Sequence, residues 1–530
     1  MSGFLLYTPF FLVNYLINNK INMRFKKSLD LLLLEASESG EHTFKRAFGP
    51  GSLVALGVGA IIGAGLFVQT ARAAAENAGP AINLGFILAA IACALAGLCY
   101  AEFSSMIPIA GSAYTYTYAT MGEVMAWVVG WNLVLEYAIA AATVAVAWSE
   151  YLNKLLFEAF GTKIPYQLCH SPFQTSMDGV QGIINIPAFV IIAILSFVLI
   201  RGTKESITLN NIMVVLKVAI VVAFIVIGWK YIKPENYIPY IPENIGETGL
   251  MSGRVGFWDF VTSTDFGKFG LSGIICSAGI VFFGFIGFDA ISTVAQECKN
   301  PSRDMPIGIL VSLAICTVLY VLFGHVLTGV ANYKEFATTG KEASVPYVIG
   351  TYMHGYEWLS PFITVAILAG FTSVILATLL GISRVFYTMS HDGLMPKIFS
   401  VLHPKLRTPY KSNLIFLVFA GSFAAFVPGS VVGDLTSMGT LFVFTLVCLG
   451  VLILRKTDPD RHRPFKTPFM PFVPILGIIV CVAMMCGLNW LGLIIWMAIG
   501  AVIYLTYGVK NSVMRKAQNQ NNSTPIQKEI

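Results

Sequence analysis

Gly57-Val58-Gly59-Ala60-Ile61-Ile62-Gly63-Ala64-Gly65-Leu66-Phe67 and Gly279-Ile280-Val281-Phe282-Phe283-Gly284-Phe285-Ile286-Gly287-Phe288-Asp289 decide how this chain is read. Both lie in long apolar runs. Glycine at this density weakens a helix by about 1 kcal/mol per residue relative to alanine. At membrane depth a broken helix leaves backbone N–H and C=O groups unpaired, which is tolerated only where the backbone is buried in protein or lines a wet cavity. One such stretch alone is equally well a close helix contact through small residues. Two, at corresponding places in the two halves of a chain, are a pointer to a transporter's binding site.

The rest of the chain supports a membrane setting. Of its 530 residues, 56% are hydrophobic and 12% charged, where a soluble protein averages about 25% charged. At roughly 20 residues per crossing, the length suits twelve helices plus loops. The net charge of +6 requires no nucleic acid partner. The nine cysteines fall mostly in apolar runs, as at Cys93, Cys99, Cys316, Cys448 and Cys481, with Cys169 in a polar loop. No disulfide framework is implied. No metal-ligand cluster or cofactor motif emerges from the cysteines and histidines.

Twelve apolar segments follow in order. Segment 1 is Pro50–Thr70, with its break at Gly63–Gly65; segment 2 is Ala81–Ile107, segment 3 Val124–Leu152, segment 4 Ile183–Ile200 and segment 5 Ile207–Gly228. Segment 6 is Leu271–Glu297, broken at Gly284–Gly287; segment 7 is Ile307–Ala331, segment 8 Leu359–Thr388, segment 9 Asn413–Val427 and segment 10 Leu435–Leu454. Segments 11 and 12 are Phe472–Leu488 and Leu491–Tyr507. The organisation is an N-terminal segment (1–49), a first five-helix block (50–230), an outer loop (231–270), a second block (271–455), helices 11 and 12 (456–509) and a polar tail (510–530). Phe4–Ile17 is short for a crossing, and Met23 reads as the more natural start. Ser28–Glu38 reads as a short helix on the membrane surface.

Alternate loops share a side of the membrane. Twenty-four of the 34 Lys+Arg fall on the side of the two chain ends and nine on the other, with Lys217 inside segment 5. The positive-inside rule therefore predicts cytoplasmic termini. Each block of five opens with a broken helix, and five is odd, so the second block inserts upside down. The fold class predicted is an all-α polytopic membrane protein: a 5+5 inverted repeat with broken helices 1 and 6, plus two extra helices.

Gly59-Ala60-Ile61-Ile62-Gly63-Ala64-Gly65-Leu66-Phe67 resembles the first-helix signature of the amino acid–polyamine–organocation superfamily. Ala101-Glu102-Phe103 through Pro108-Ile109-Ala110-Gly111-Ser112-Ala113-Tyr114-Thr115-Tyr116 resembles its second-helix motif, and Phe283-Gly284-Phe285-Ile286-Gly287-Phe288-Asp289 its sixth. Arg201-Gly202-Thr203-Lys204-Glu205-Ser206, Lys299-Asn300-Pro301 and Ser383-Arg384-Val385-Phe386 are similar to the cationic amino acid transporter branch and its bacterial relatives. The resemblance covers about residues 43–507 and implies a leucine-transporter-type fold.

The site can be argued from the breaks. A half-helix beginning after Gly63–Gly65 presents free N–H groups and a positive dipole end. The N–H groups of Ala64 and Gly65 should take a substrate carboxylate. The carbonyls of Ile61, Phe283 and Ile286 should take its ammonium, as the resemblance also implies. Phe283 is read as a lid over the substrate, or as an ordinary packing aromatic. Lys217 is an intramembrane ionisable group and a functional candidate by default, although its stem could snorkel about 10 Å to the helix end near Asn210. In proton-coupled relatives, the resemblance implies, a lysine here takes the place of a sodium ion, held by first-helix carbonyls and an eighth-helix hydroxyl; Thr372 and Ser373 are the candidates. Glu136 lies about 20 Å from either end of its helix, as a structural group or part of a proton path. Asp289 is read as a helix cap or a substrate-side charge, His325 as a packing residue rather than a relay, and Tyr114, Tyr116 and Tyr118 as an interfacial aromatic belt. The function predicted is secondary active transport of L-amino acids, cationic or small and neutral, coupled to protons. Exchange without a proton, and sensing without transport, are the alternatives.

Overall fold

The computed structural model describes residues 25–30, 32, 48–107, 109, 111–176, 178–201, 204–245, 268–295, 298–337, 344–404, 408–486, 488 and 490–517. The proposed Met23 start, most of the surface helix expected over 28–38, Pro108, Ala110, Gly202, Thr203, Glu297 and the end of the polar tail lie outside the described residues.

Helices occupy every one of the twelve apolar segments. Among the described residues, eight helices are long and apolar enough to cross a membrane: Gly65–Met106, Glu123–Phe160, Asn211–Tyr231, Gly270–Thr293, Pro301–Val330, Leu359–His391, Val431–Thr457 and Trp490–Ala517. Four apolar helices are shorter: Pro50–Ile61, Ile186–Arg201, Tyr410–Phe426 and Phe472–Met485. Local signals set their ends. Pro50 and Pro301 sit at helix starts, where a missing N–H costs nothing. The Asn185 side chain accepts the N–H of Ala188 at 3.2 Å, and the helix of segment 3 closes on Gly161 in the left-handed conformation.

Polarity runs inside out. In segment 5, Ile212, Val215, Leu216, Val222 and Val226 are exposed, while Val214, Lys217, Val221 and Phe224 form the buried stripe. An apolar exterior with its polar groups turned inward is what a hydrocarbon solvent selects. Segment 2 packs on 7, segment 3 on 8 and segment 4 on 9, and the two breaks touch each other. Each of these pairs joins corresponding members of the two blocks.

The described stretches near the two chain ends meet at one end of the bundle. Glu123 is the hub: its N–H donates to the Phe25 carbonyl at 3.1 Å, and its carboxylate takes Arg515 at 2.7 Å and the Tyr504 hydroxyl at 2.9 Å. Nearby, Asp392 accepts Lys27 at 3.0 Å and Tyr114 at 2.7 Å. This corrects the aromatic-belt expectation. Tyr114, Tyr116 and Tyr118 lie on a short helix, Ser112–Thr120, and all three are fully buried. Tyr116 stacks on Phe103 at 5.1 Å, and Tyr118 donates to Glu123 at 3.3 Å.

Glu102 anchors the same end. It is buried in segment 2 and pairs with Arg455 at 2.8 Å and the equally buried Arg463 at 3.2 Å, and accepts the N–H of Thr467 at 2.8 Å. Removing one partner of a buried ion pair strands the other charge. Glu102→Ala should therefore destabilise the protein by about 3 kcal/mol, seen as a lowered thermal unfolding temperature in detergent micelles. An unchanged midpoint would show that Glu102 holds nothing together.

Candidate functional site

The first helix runs from Pro50 to Ile61 and stops because Ile62 is extended (φ −71°, ψ 106°). The chain restarts at Ala64 into a π-helical turn, Gly65–Gln69. The break thus centres on Ile62–Gly63, at the leading edge of the Gly63–Gly65 stretch. The last four carbonyls of a helix have no partner within it. Ile62 N–H still bonds Val58 O at 3.1 Å, so Gly59, Ala60, Ile61 and Ile62 carry the orphans. The N–H groups of Ala64 and Gly65, at the start of the next half, have no helical turn before them.

Side chains from other helices meet these carbonyls. Lys217 Nζ donates to Gly59 O at 2.5 Å, to Ile62 O at 2.9 Å and to Ser373 Oγ at 2.9 Å. An ammonium has three N–H donors, and all three are used. The lysine is fully buried and does not snorkel to the helix end. Ser373 passes its own hydrogen to Gly370 O at 2.8 Å. Of the two hydroxyl candidates it is the one that meets the lysine, while Thr372 donates to Leu368 O on its own helix at 2.8 Å. The Tyr320 hydroxyl lies 2.9 Å from Ile61 O.

The second break has the same parts. The helix Gly270–Phe282 tightens into a 3-10 turn, Phe283–Phe285; Ile286 is extended, and Gly287 takes φ +118°, a conformation that favours glycine. A Cβ on Gly287 would also press on Ala60 C and O at 2.9 Å. The two breaks cross at Gly65 and Gly284, where a Cβ on Gly65 would fall on the backbone of Gly284. Phe283 and Ile286, both buried, stand on this crossing. Phe283 O accepts the Ile286 N–H at 3.4 Å.

Asp289 does not cap its helix. It sits at the cap position of Ala290–Thr293 without a capping bond; its carboxylate instead takes the Tyr137 hydroxyl and lies within hydrogen-bonding reach of Glu136. Glu136 and Tyr137 belong to a π-helical turn, Leu135–Ile139, inside the helix of segment 3. Such turns redirect side chains and recur at functional sites. His325 contacts Asn83 at 3.3 Å and stacks on Tyr237, as a packing residue would. Tyr320 and Tyr137 were not picked out by sequence: a lone tyrosine in an apolar segment reads as filler, and only the pairing of Tyr137 with its neighbour Glu136 was a signal. A cleft of about 450 Å³ between the C-terminal end of segment 3 and the N-terminal end of segment 8, lined by Lys154, Glu158, Trp358 and Ser360, lies apart from these groups.

Two broken helices crossing at glycines, with a buried lysine on the carbonyls of one, agree with what sequence comparison gives. The family model described as amino acid permease matches residues 48–501. The chain belongs to this family, within the amino acid–polyamine–organocation superfamily. Three relatives in particular are similar to this permease. The methylthioribose transporter of Bacillus subtilis is 39% identical over 93% of this chain and 99% of its own. The branched-chain amino acid permease BcaP of the same organism is 39% identical over 93% and 98%. The vacuolar cationic amino acid transporter 4 of Arabidopsis thaliana is 33% identical over 82% and 67%.

The crossing point makes a sharp prediction for this permease. Gly65→Ala puts a methyl group on backbone that cannot swing aside, so labelled amino acid binding should be lost. In Gly63→Ala the methyl meets only the Val374 side chain at 3.0 Å, so binding should largely survive. Equilibrium binding to both purified variants, with folding checked by size-exclusion chromatography, tests this. Equal affinities would remove the crossing from the site.

Proposed function

We propose that this permease moves L-amino acids across the cytoplasmic membrane by proton-coupled symport, alternating access around the two breaks. In this reading twelve helices cross the membrane, the blocks form an inverted repeat and both chain ends face the cytoplasm. The N–H groups of Ala64 and Gly65 take the carboxylate, and the carbonyls of Ile61, Phe283 and Ile286 take the ammonium, with Phe283 as the lid.

The observation that carries the proposal is the seat of Lys217. Desolvation opposes its charge, while Gly59 O, Ile62 O and Ser373 Oγ favour it. Both Gly59 and Ile62 belong to the broken helix, so any rearrangement of that helix changes the balance. A proton then has different affinities for two conformations, which is what coupling requires. Glu136 and Asp289 are the reserve proton carriers. The surround of Ile61, Phe283 and Ile286 is apolar, and the Asp289 carboxylate is taken up by the Tyr137 hydroxyl, which favours a neutral side chain over a cationic one. This accords with the branched-chain amino acid permeases among the relatives. Methylthioribose, for which another relative is named, has neither carboxylate nor ammonium to match the two ends of the break.

Radiolabelled L-leucine uptake into proteoliposomes, with and without an inward proton gradient and with methylthioribose and L-arginine as competitors, tests the reading. A symporter accumulates leucine only with the gradient. An exchanger needs internal amino acid instead, and a sensor binds without uptake. Lys217→Ala should keep some binding and lose gradient-driven uptake. Lys217→Arg should also lose it, because guanidinium stays charged throughout the usable pH range. Wild-type rates in Lys217→Arg would take the lysine out of the mechanism. Ser373→Ala should weaken coupling where Thr372→Val does not, and the reverse order would reassign the hydroxyl.

A further inference from the structure

The geometry points to Tyr320 as the positioning residue that holds the two breaks in register and orients the substrate's ammonium acceptor. Its hydroxyl oxygen lies 2.9 Å from Ile61 O and 2.8 Å from Gly284 O. One carbonyl belongs to the first break and the other to the second. A phenol has a single hydrogen, so the two carbonyls share it. Without a donor between them, two carbonyl oxygens face each other with like partial charge, buried and away from water.

The ring has little freedom to leave. Tyr320 is fully buried and packs against Phe285 at 5.0 Å and Phe86 at 5.5 Å between ring centroids. A Cβ on Gly284 would lie 3.2 Å from its ring, so glycine there lets the backbone approach the tyrosine. Tyr320 stands on Pro301–Val330, an unbroken helix that packs along both the first half-helix and segment 2. One continuous helix therefore carries a hydroxyl that bonds both breaks.

A carbonyl oxygen has two lone pairs. The phenol takes one on Ile61 O and leaves the other for an incoming ammonium. This role rests on the reading above that Ile61 O receives the substrate's ammonium. Tyr320 then acts on one end of the substrate only. The two hydrogen bonds of its hydroxyl go to Ile61 O and Gly284 O, and neither involves Ala64 or Gly65 at the carboxylate end.

That asymmetry supplies the test. Wild-type protein and Tyr320→Phe are compared for binding of L-leucine and of 4-methylpentanoate, the same skeleton without its amino group. Loss of the hydroxyl should weaken leucine binding by about tenfold and leave 4-methylpentanoate nearly unchanged, collapsing the preference for the amino group. An equal loss for both ligands would mean that Tyr320 only supports the fold, and no loss would mean that it does nothing; either overturns the inference. Should Tyr320→Phe fail to fold, replacing Tyr320 with 3,5-difluorotyrosine keeps the ring and makes the phenol a stronger donor. The preference for leucine should then shift, and an unchanged preference overturns the inference. If wild-type protein binds none of the common amino acids, the amino acid reading itself fails and this inference falls with it.

Discussion

Four carbonyl groups with no helical partner are the constraint around which this molecule is built. They belong to Gly59, Ala60, Ile61 and Ile62, at the end of a helix that stops in the middle of an apolar bundle. In water such groups would be solvated without cost. Here each buried acceptor left unmet costs about 1–3 kcal/mol, so other helices must supply donors. Segment 5 sends Lys217 and segment 7 sends Tyr320. Segment 8 sends Ser373 to complete the lysine's shell. The site is therefore also the place where the helices are tied together.

The same need repeats further along the broken segment. Phe67 O accepts the Tyr151 hydroxyl at 3.1 Å and the Ser344 hydroxyl at 2.8 Å. One turn on, Arg72 reaches across to Asp434 at 3.1 Å. At the opposite end of the bundle, Glu123 and Asp392 collect cations and phenols from both ends of the chain. Between these fastened ends lies the contact of Gly65 with Gly284, two backbones with no side chain between them. The alternating access proposed above needs a point where two elements separate without dragging side chains through a packed core. A glycine-on-glycine contact provides one.

Several polar groups in this interior are held by more than one element. Tyr137 and Glu136 come from a π-turn that offsets one face of segment 3, and they meet Asp289 beyond the second break. These groups lie close to the unwound backbone, because that is where an apolar bundle has unmet hydrogen-bonding capacity.

The sequence by itself determined a great deal. Glycine density at Gly57–Gly65 and Gly279–Gly287 marked both breaks, since only proline weakens a helix more and neither stretch holds one. Hydropathy located the twelve helices. Lys217 and Glu136 stood out because charge is rare in apolar runs. Other features could not be read in one dimension. Asp289 looked like a helix cap from its position, but its carboxylate turns to Tyr137, a partner 152 residues away. The three tyrosines of Ser112–Thr120 looked like an interfacial belt, yet the short helix that carries them folds inward. Thr372 and Ser373 are neighbours, and only the rotation of their helix set one toward the lysine. Tyr320 gave no signal at all, because its meaning lies in two carbonyls 259 and 36 residues away. Composition and spacing determine which groups must be satisfied; tertiary structure alone decides which distant side chains satisfy them, because donors and acceptors are matched in space and not along the chain.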